Sequence, residues 1–153
     1  MTIEVLNPNT LRPGDPTDRM SVASQVAGLI QRVYCIADPR TLYDKLGDLT
    51  FIDIKRGRIR GLVSVSLNTP LNDPPEGAAW LDLLVVSPTV REKGIGCALT
   101  DRALTTVRRQ EFRAIGLASA PGSEIFWRNR GFVPCEPQPP DAHCMNTVMY
   151  RFL

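Results

Sequence analysis

Apolar residues recur along this chain at two different spacings. From Asp18 onward they fall at steps of three and four, at Val22, Val26, Leu29, Ile30 and Val33, which predicts a helix with one apolar face. Asp38-Pro39 opens a shorter helix with Leu42, Tyr43 and Leu46 inward and Gly47 as its stop. The spacing then shortens. Leu49–Lys55 and Arg58–Leu67 read as strands joined by an Arg56-Gly57 turn, the second alternating Val63, Val65 and Leu67 with Ser64 and Ser66. Trp80–Val86 is a third strand. Its run Leu83-Leu84-Val85-Val86 is apolar at consecutive positions, which predicts a central strand buried on both faces.

After Ser87 the pattern reverts to helical spacing, with Ile95, Leu99, Ala103 and Val107 marking a buried stripe that ends near Gln110. Ala114–Ser119 is a strand, Glu124–Asn129 a short helix, Phe132–Cys135 a strand and Met145–Phe152 (core Thr147–Phe152) the last one. Proline-rich loops lie at residues 8–18, 68–78 and 134–140. The order is two helices, three strands, helix, strand, helix, two strands. That mixture predicts an α/β or α+β layered fold in a single domain spanning 1–153.

Composition narrows the function. A net charge of +2 and no block of five or more Lys and Arg argue against a nucleic-acid partner. No apolar run reaches bilayer-spanning length, and the start Met1-Thr-Ile-Glu-Val-Leu-Asn-Pro lacks a basic and apolar leader, so no membrane partner and a cytoplasmic location are expected. Cys35, Cys97, Cys135 and Cys144 show no CxxC spacing, and His143 beside Cys144 has no paired ligand motif. Free thiols and no metal are the expectation.

The informative segment joins a strand to a helix: Leu83-Leu84-Val85-Val86-Ser87-Pro88, then Arg91-Glu92-Lys93-Gly94-Ile95-Gly96. Two glycines at a helix start let backbone approach a ligand closely. Unpaired N–H groups and a partial positive charge make that start an anion site, to which Arg91 and Lys93 add charge. A P-loop would need GxxxxGK[ST], which the chain lacks. A Rossmann turn would need a third glycine where Leu99 stands. A plain basic turn with a glycine cap remains the bland alternative.

The pattern Arg91-x-x-Gly94-x-Gly96 after Val86-Ser87-Pro88 resembles the pyrophosphate loop of the GNAT superfamily of acyl-CoA-dependent N-acetyltransferases. The segment Phe126-Trp127-Arg128-Asn129-Arg130-Gly131-Phe132 resembles the late helix-to-strand segment of the same superfamily. The resemblance covers roughly residues 18–153. It implies a mixed, mostly antiparallel sheet of six to seven strands with a splayed parallel pair, Trp80–Val86 and Ala114–Ser119, flanked by about four helices. It also implies acetyl-CoA as co-substrate, a small-molecule or peptide amine as acceptor, and a possible homodimer.

On this resemblance, backbone near Leu84, Val85 and Val86 holds the pantetheine arm, and the amides of Arg91, Glu92, Lys93, Gly94, Ile95 and Gly96 hold the diphosphate. Strand parity puts residues 80, 82, 84 and 86 on one face. Asp82 occupies a position the superfamily uses for a general base, with a structural acid as its other reading. Trp80, also on that strand, cannot act as one; Asp73 and Glu76 are weaker candidates. Trp127 stands where many members carry a Tyr that protonates the leaving thiolate. An indole has no such proton to give, so Ser119, Ser123 or water would assist, and Trp127 would line the pantetheine or fill the core. Asp38–Gly47 and Glu136–Met145 match the acceptor-facing segments. The competing readings are a non-catalytic acyl-CoA-binding module and a structural partner of another protein.

Overall fold

The computed structural model describes residues 1–6, 22–34, 46–91, 93–140 and 146–153. Seven strands form one mixed sheet in the order β1-β2-β3-β4-β5-β7-β6. They are β1 (Thr2–Leu6), β2 (Leu49–Lys55), β3 (Arg58–Ser66), β4 (Ala78–Val86), β5 (Ala114–Ser119), β6 (Val133–Pro134) and β7 (Thr147–Phe152). The helices are α1 (Val22–Tyr34), α2 (Ile95–Arg109) and α3 (Glu124–Arg128), with a 3-10 turn at Pro88–Val90. The α/β layered class with one parallel pair is as expected. The helix count is not: the described residues hold three α-helices rather than about four. The short helix expected from Asp38 falls on 35–45, outside the described residues, as do 18–21 and 141–145. None of the helices is long and apolar enough to cross a membrane.

The chain folds as two compact units. The first holds residues 1–65 and 82–103. Its core is the apolar face of α1, Val26, Leu29 and Ile30, packed on Ile52, Leu62, Leu83 and Val85. The β2–β3 hairpin closes in two residues, Arg56 and Gly57, both at positive φ (52° and 71°), the signature of a type I′ turn. The Gln25 side chain fixes this turn from α1. It donates to the Gly57 carbonyl (3.1 Å) and accepts the Ile59 N–H (2.9 Å).

The β2–β3 register shifts between Asp53 and Ile54, where Asp53 faces Gly61 and Ile54 faces Ile59, so Arg60 is the bulged residue. Gly61 is needed for a different reason. A Cβ there would stand 3.0 Å from Leu99 Cδ1, 3.0 Å from the Val85 carbonyl oxygen and 3.1 Å from Ile95 Cγ2. The missing side chain therefore lets the first turns of α2 lie directly on β3. Arg102 of α2 rests over the Phe51 ring, 5.8 Å from its centroid.

The second unit holds residues 66–81 and 104–153. Here β4 and β5 run parallel from Ala78↔Ala114 to Leu81↔Leu117, and β7 pairs antiparallel along β5. Trp80 and Tyr150 meet edge-to-face at 6.3 Å within a cluster containing Ala78, Ala114 and Val148. Gly116 leaves room for both rings, since a Cβ there would collide with Tyr150 and with Trp80.

One strand has no counterpart in the sequence pattern. β1 pairs antiparallel with β2, from Thr2↔Ile54 to Leu6↔Thr50. It is an edge strand whose Val5 is 63% exposed, so it carries a weak burial signal. The expectation that Leu83–Val86 is buried on both faces is also corrected. Leu83 and Val85 are buried, while Leu84 and Val86 stay partly exposed. The ladder with β5 ends at Leu81↔Leu117 although β4 continues through Asp82–Val86.

Candidate functional site

The loop after β4 is held at its start and open at its end. The Ser87 N–H donates to the carbonyl of bulged Arg60 (2.7 Å), and the Val90 N–H returns to the Ser87 carbonyl (3.0 Å). Pro88 supplies the fixed φ that starts the 3-10 turn. The chain then leaves the sheet, and Arg91, Lys93 and Gly94 are exposed. The Glu92 side chain lies outside the described residues.

Gly94 has φ +73°, a conformation L side chains rarely adopt, and its carbonyl accepts the Ala98 N–H (3.0 Å). Gly94 is therefore the N-cap of α2. Ile95, the first helical residue, is buried beside Gly61 and anchors the turn. By helix geometry the N–H groups of Ile95, Gly96 and Cys97 have no intrahelical acceptor and carry the positive end of the dipole. The Thr100 hydroxyl donates to the Gly96 carbonyl (2.8 Å), occupying that carbonyl from below. No heavy atom lies within 4 Å of where a Gly94 Cβ would stand, so the space before this turn is open.

The glycine turn lies between β4 and α2, and the first turn of α2 extends one residue beyond the hexapeptide Arg91–Gly96. Cys97 provides the third first-turn N–H, and only the helix start at Ile95 reveals it. Behind the turn, Val85 is buried in the α1 core, and Leu84 and Val86 face partly outward on the stretch of β4 that has no β5 pairing. Asp82 lies on the same stretch. It is partly exposed and already engaged with another group.

The remaining sequence candidates lie in the second unit. Ser119, at the end of β5, is buried and its hydroxyl donates to the Ala120 carbonyl (3.3 Å). Trp127 is 7% exposed and packs edge-on against Phe126 (4.9 Å) and Phe132 (5.4 Å). Its carbonyl also accepts the Phe132 N–H (3.1 Å). That environment is an aromatic cluster. Tyr150, which no sequence motif singles out, is buried with no well-formed hydrogen bond to its hydroxyl. Burial pushes its phenol pKa up, against a smaller opposing pull from Thr69. Among the described residues no cluster of three or more His, Cys, Asp and Glu side chains could hold a metal ion. His143 and Cys144 lie outside them.

Comparison with known proteins gives the family and the fold. A family model described as acetyltransferase (GNAT) domain matches residues 32–151. No curated protein sequence matches. Among solved structures, an aminoglycoside 6'-N-acetyltransferase complexed with coenzyme A superposes with a TM-score of 0.74 at 11% identity, over 99% of this chain and 97% of that one. Ard1 from Thermoplasma volcanium gives 0.73 at 18% identity, over 99% and 97%. N-acetylglutamate synthase from Neisseria gonorrhoeae, complexed with coenzyme A and N-acetyl-glutamate, gives 0.69 at 13% identity over 100% of this chain. The match covers 35% of that enzyme's length, so this chain spans about a third of the longer protein. At these identities the likeness is one of fold.

Proposed function

Since the chain belongs to the acetyltransferase (GNAT) domain family, we propose that it moves an acetyl group from acetyl-CoA to a primary amine of a small molecule or peptide by direct attack on the thioester. The observation that carries this reading is the exposed, glycine-capped start of α2, with Arg91 and Lys93 beside it and open space before Gly94. A diphosphate fits such a turn because several N–H donors and two cations converge on it without desolvating any buried charge. The coenzyme complexes of two structural neighbours support the same assignment.

In this reading the first-turn amides of α2 and the side chains of Arg91 and Lys93 hold the nucleotide end. The outward edge of Leu84–Val86, unpaired with β5, carries the pantetheine arm as an added strand would. The Val86 N–H faces the developing oxyanion. Near neutral pH a primary amine is mostly protonated, so a proton must leave before or during attack. Asp82 accepts it, directly or through water. The amine nitrogen then bonds the carbonyl carbon, the C–S bond breaks, and the pair stays on sulfur. A thiol with pKa about 8.5 is a tolerable leaving group without a dedicated acid. Ser119 would need to swing away from Ala120 to assist.

One observation favours a second reading, an acyl-CoA-binding module without turnover: Trp127 is sealed among Phe126 and Phe132 and offers no acid. The deciding measurement is coenzyme A release from acetyl-CoA over a panel of primary amines and amino-terminal peptides, with Asp82→Asn alongside. Turnover on any amine, reduced about a hundredfold or more by Asp82→Asn, agrees with general-base catalysis. Acetyl-CoA binding with no release on the whole panel leaves the module reading. Undiminished turnover in Asp82→Asn removes Asp82 from the mechanism.

A further inference from the structure

The end of the sheet where β2 turns into β3 carries positive charge that the reaction above does not use. Lys55, Arg56 and Arg60, with Met1, Thr2 and Ile54, line a cavity of about 410 Å³ in the first unit. We propose that this cavity is a second anion site, which takes a small oxyanion of two or more negative charges, a phosphate or a polycarboxylate.

Charge balance is the first argument. Among the described residues Lys55 and Arg56 have no ion-pair partner. Asp53 is fully buried and lies 2.6 Å from a terminal nitrogen of Arg60. That contact meets an ion-pair distance but not hydrogen-bond geometry, and neither Asp53 oxygen nor Arg60 Nε finds a hydrogen-bond partner. Asp53 therefore offsets Arg60, while Lys55 and Arg56 leave the lining net positive.

Position is the second argument. Arg60 is the bulged residue of β3, and a bulge re-aims the side chain it carries. Its side chain keeps 18% exposure while its carboxylate partner has none, so it reaches from the interior toward the cavity. Arg56 occupies the first central position of a type I′ turn at φ 52°. Asn, Asp or Gly suits that position, and other L residues there cost roughly 1–2 kcal/mol. Turn formation alone does not account for an arginine at Arg56. The two bonds from Gln25 hold the turn in place, so the backbone that carries Arg56 is pre-organised. A volume of about 410 Å³ is within the range of small-molecule sites.

The site is distinct from the start of α2. The Arg60 carbonyl meets Ser87, but the cavity lining includes no residue of 87–97. Amide chemical-shift titration of the whole chain with citrate, and separately with inorganic phosphate, locates the anion and tells the two chemistries apart. Shifts should centre on Thr2 and Lys55–Arg60. Arg56→Asn should weaken that binding about tenfold, the worth of one charged hydrogen bond. Its thermal midpoint should be unchanged or higher, because Asn-Gly fits the turn. Lys55→Gln should weaken it similarly without touching the turn. Shifts confined to Gly94–Cys97, unchanged affinity in both variants, or no shift at millimolar concentrations of either probe would each overturn the proposal.

Discussion

At the scale of single residues, Gly94 couples backbone conformation to ligand chemistry. Its φ of +73° excludes most side chains on conformational grounds, yet a Cβ would meet nothing within 4 Å. The two requirements can therefore be separated. Gly94→Asn keeps a residue tolerant of the left-handed region, so stability should fall by only a few tenths of a kcal/mol. It nevertheless puts a side chain where a diphosphate would approach the first-turn amides, and acetyl-CoA affinity should fall more than tenfold. Gly94→Val should lose both, with about 1–2 kcal/mol of stability going to the backbone. Calorimetric binding and chemical denaturation on the two variants supply the comparison. An Asn variant that binds normally would mean the phosphates lie elsewhere.

This residue was legible in the sequence because its signal is local. A glycine between a basic pair and an apolar helix stripe announces a helix start whatever the rest of the chain does. Trp127 and Ser119 show the opposite case. Their types and positions were readable, but their roles depend on what surrounds them. Trp127 is enclosed by Phe126 and Phe132, and the Ser119 hydroxyl is turned to its own neighbour's carbonyl. No spacing rule encodes either fact.

At the scale of elements, the approach of α2 to β3 sets where the glycine turn sits. Gly61 permits that approach, and two of the three atoms it clears belong to the first turns of α2, at Ile95 and Leu99. The third is the Val85 backbone oxygen, which cannot rotate away. Gly61→Ala should therefore overpack this contact, costing about 1–3 kcal/mol. It should also lower acetyl-CoA affinity, because relief requires α2 to lift and carries Gly94–Cys97 with it. Gly28→Ala on α1 is the matching control. A Cβ there meets nothing within 4 Å, and the helix interior favours Ala by roughly 0.5–1 kcal/mol. That variant should be more stable and bind acetyl-CoA as before. Equal effects of the two substitutions on binding would show that the α2–β3 contact does not position the turn. Nothing in the sequence hinted at this contact, since a lone glycine in a strand is equally consistent with a bulge, a bend or close packing. Likewise β1 escaped notice because an edge strand buries too little to stand out, whereas the β2–β3 hairpin and the α2 stripe were readable from alternation and helical spacing.

At the scale of the whole molecule, the residues assigned to the coenzyme's diphosphate and pantetheine lie in one compact unit, residues 1–65 and 82–103. A ligand that binds only the folded chain raises its stability by mass action. At about one hundred times Kd the gain is about 2.7 kcal/mol. For a chain of 153 residues that corresponds to a rise in Tm of roughly 5–11 °C. The chemistry of the turn makes the shift selective. If its donors and cations hold the nucleotide's phosphates as proposed, coenzyme A should raise Tm nearly as much as acetyl-CoA. Acetylated pantetheine, which lacks the diphosphate, should do far less at the same concentration. Raising the salt should shrink the difference, because Arg91 and Lys93 are exposed and their attraction is screened over about 10 Å at roughly 0.1 M. A truncated thioester that stabilised the chain as well as the full coenzyme would place the binding energy in the pantetheine contacts proposed along β4 and deprive the α2 start of its proposed role.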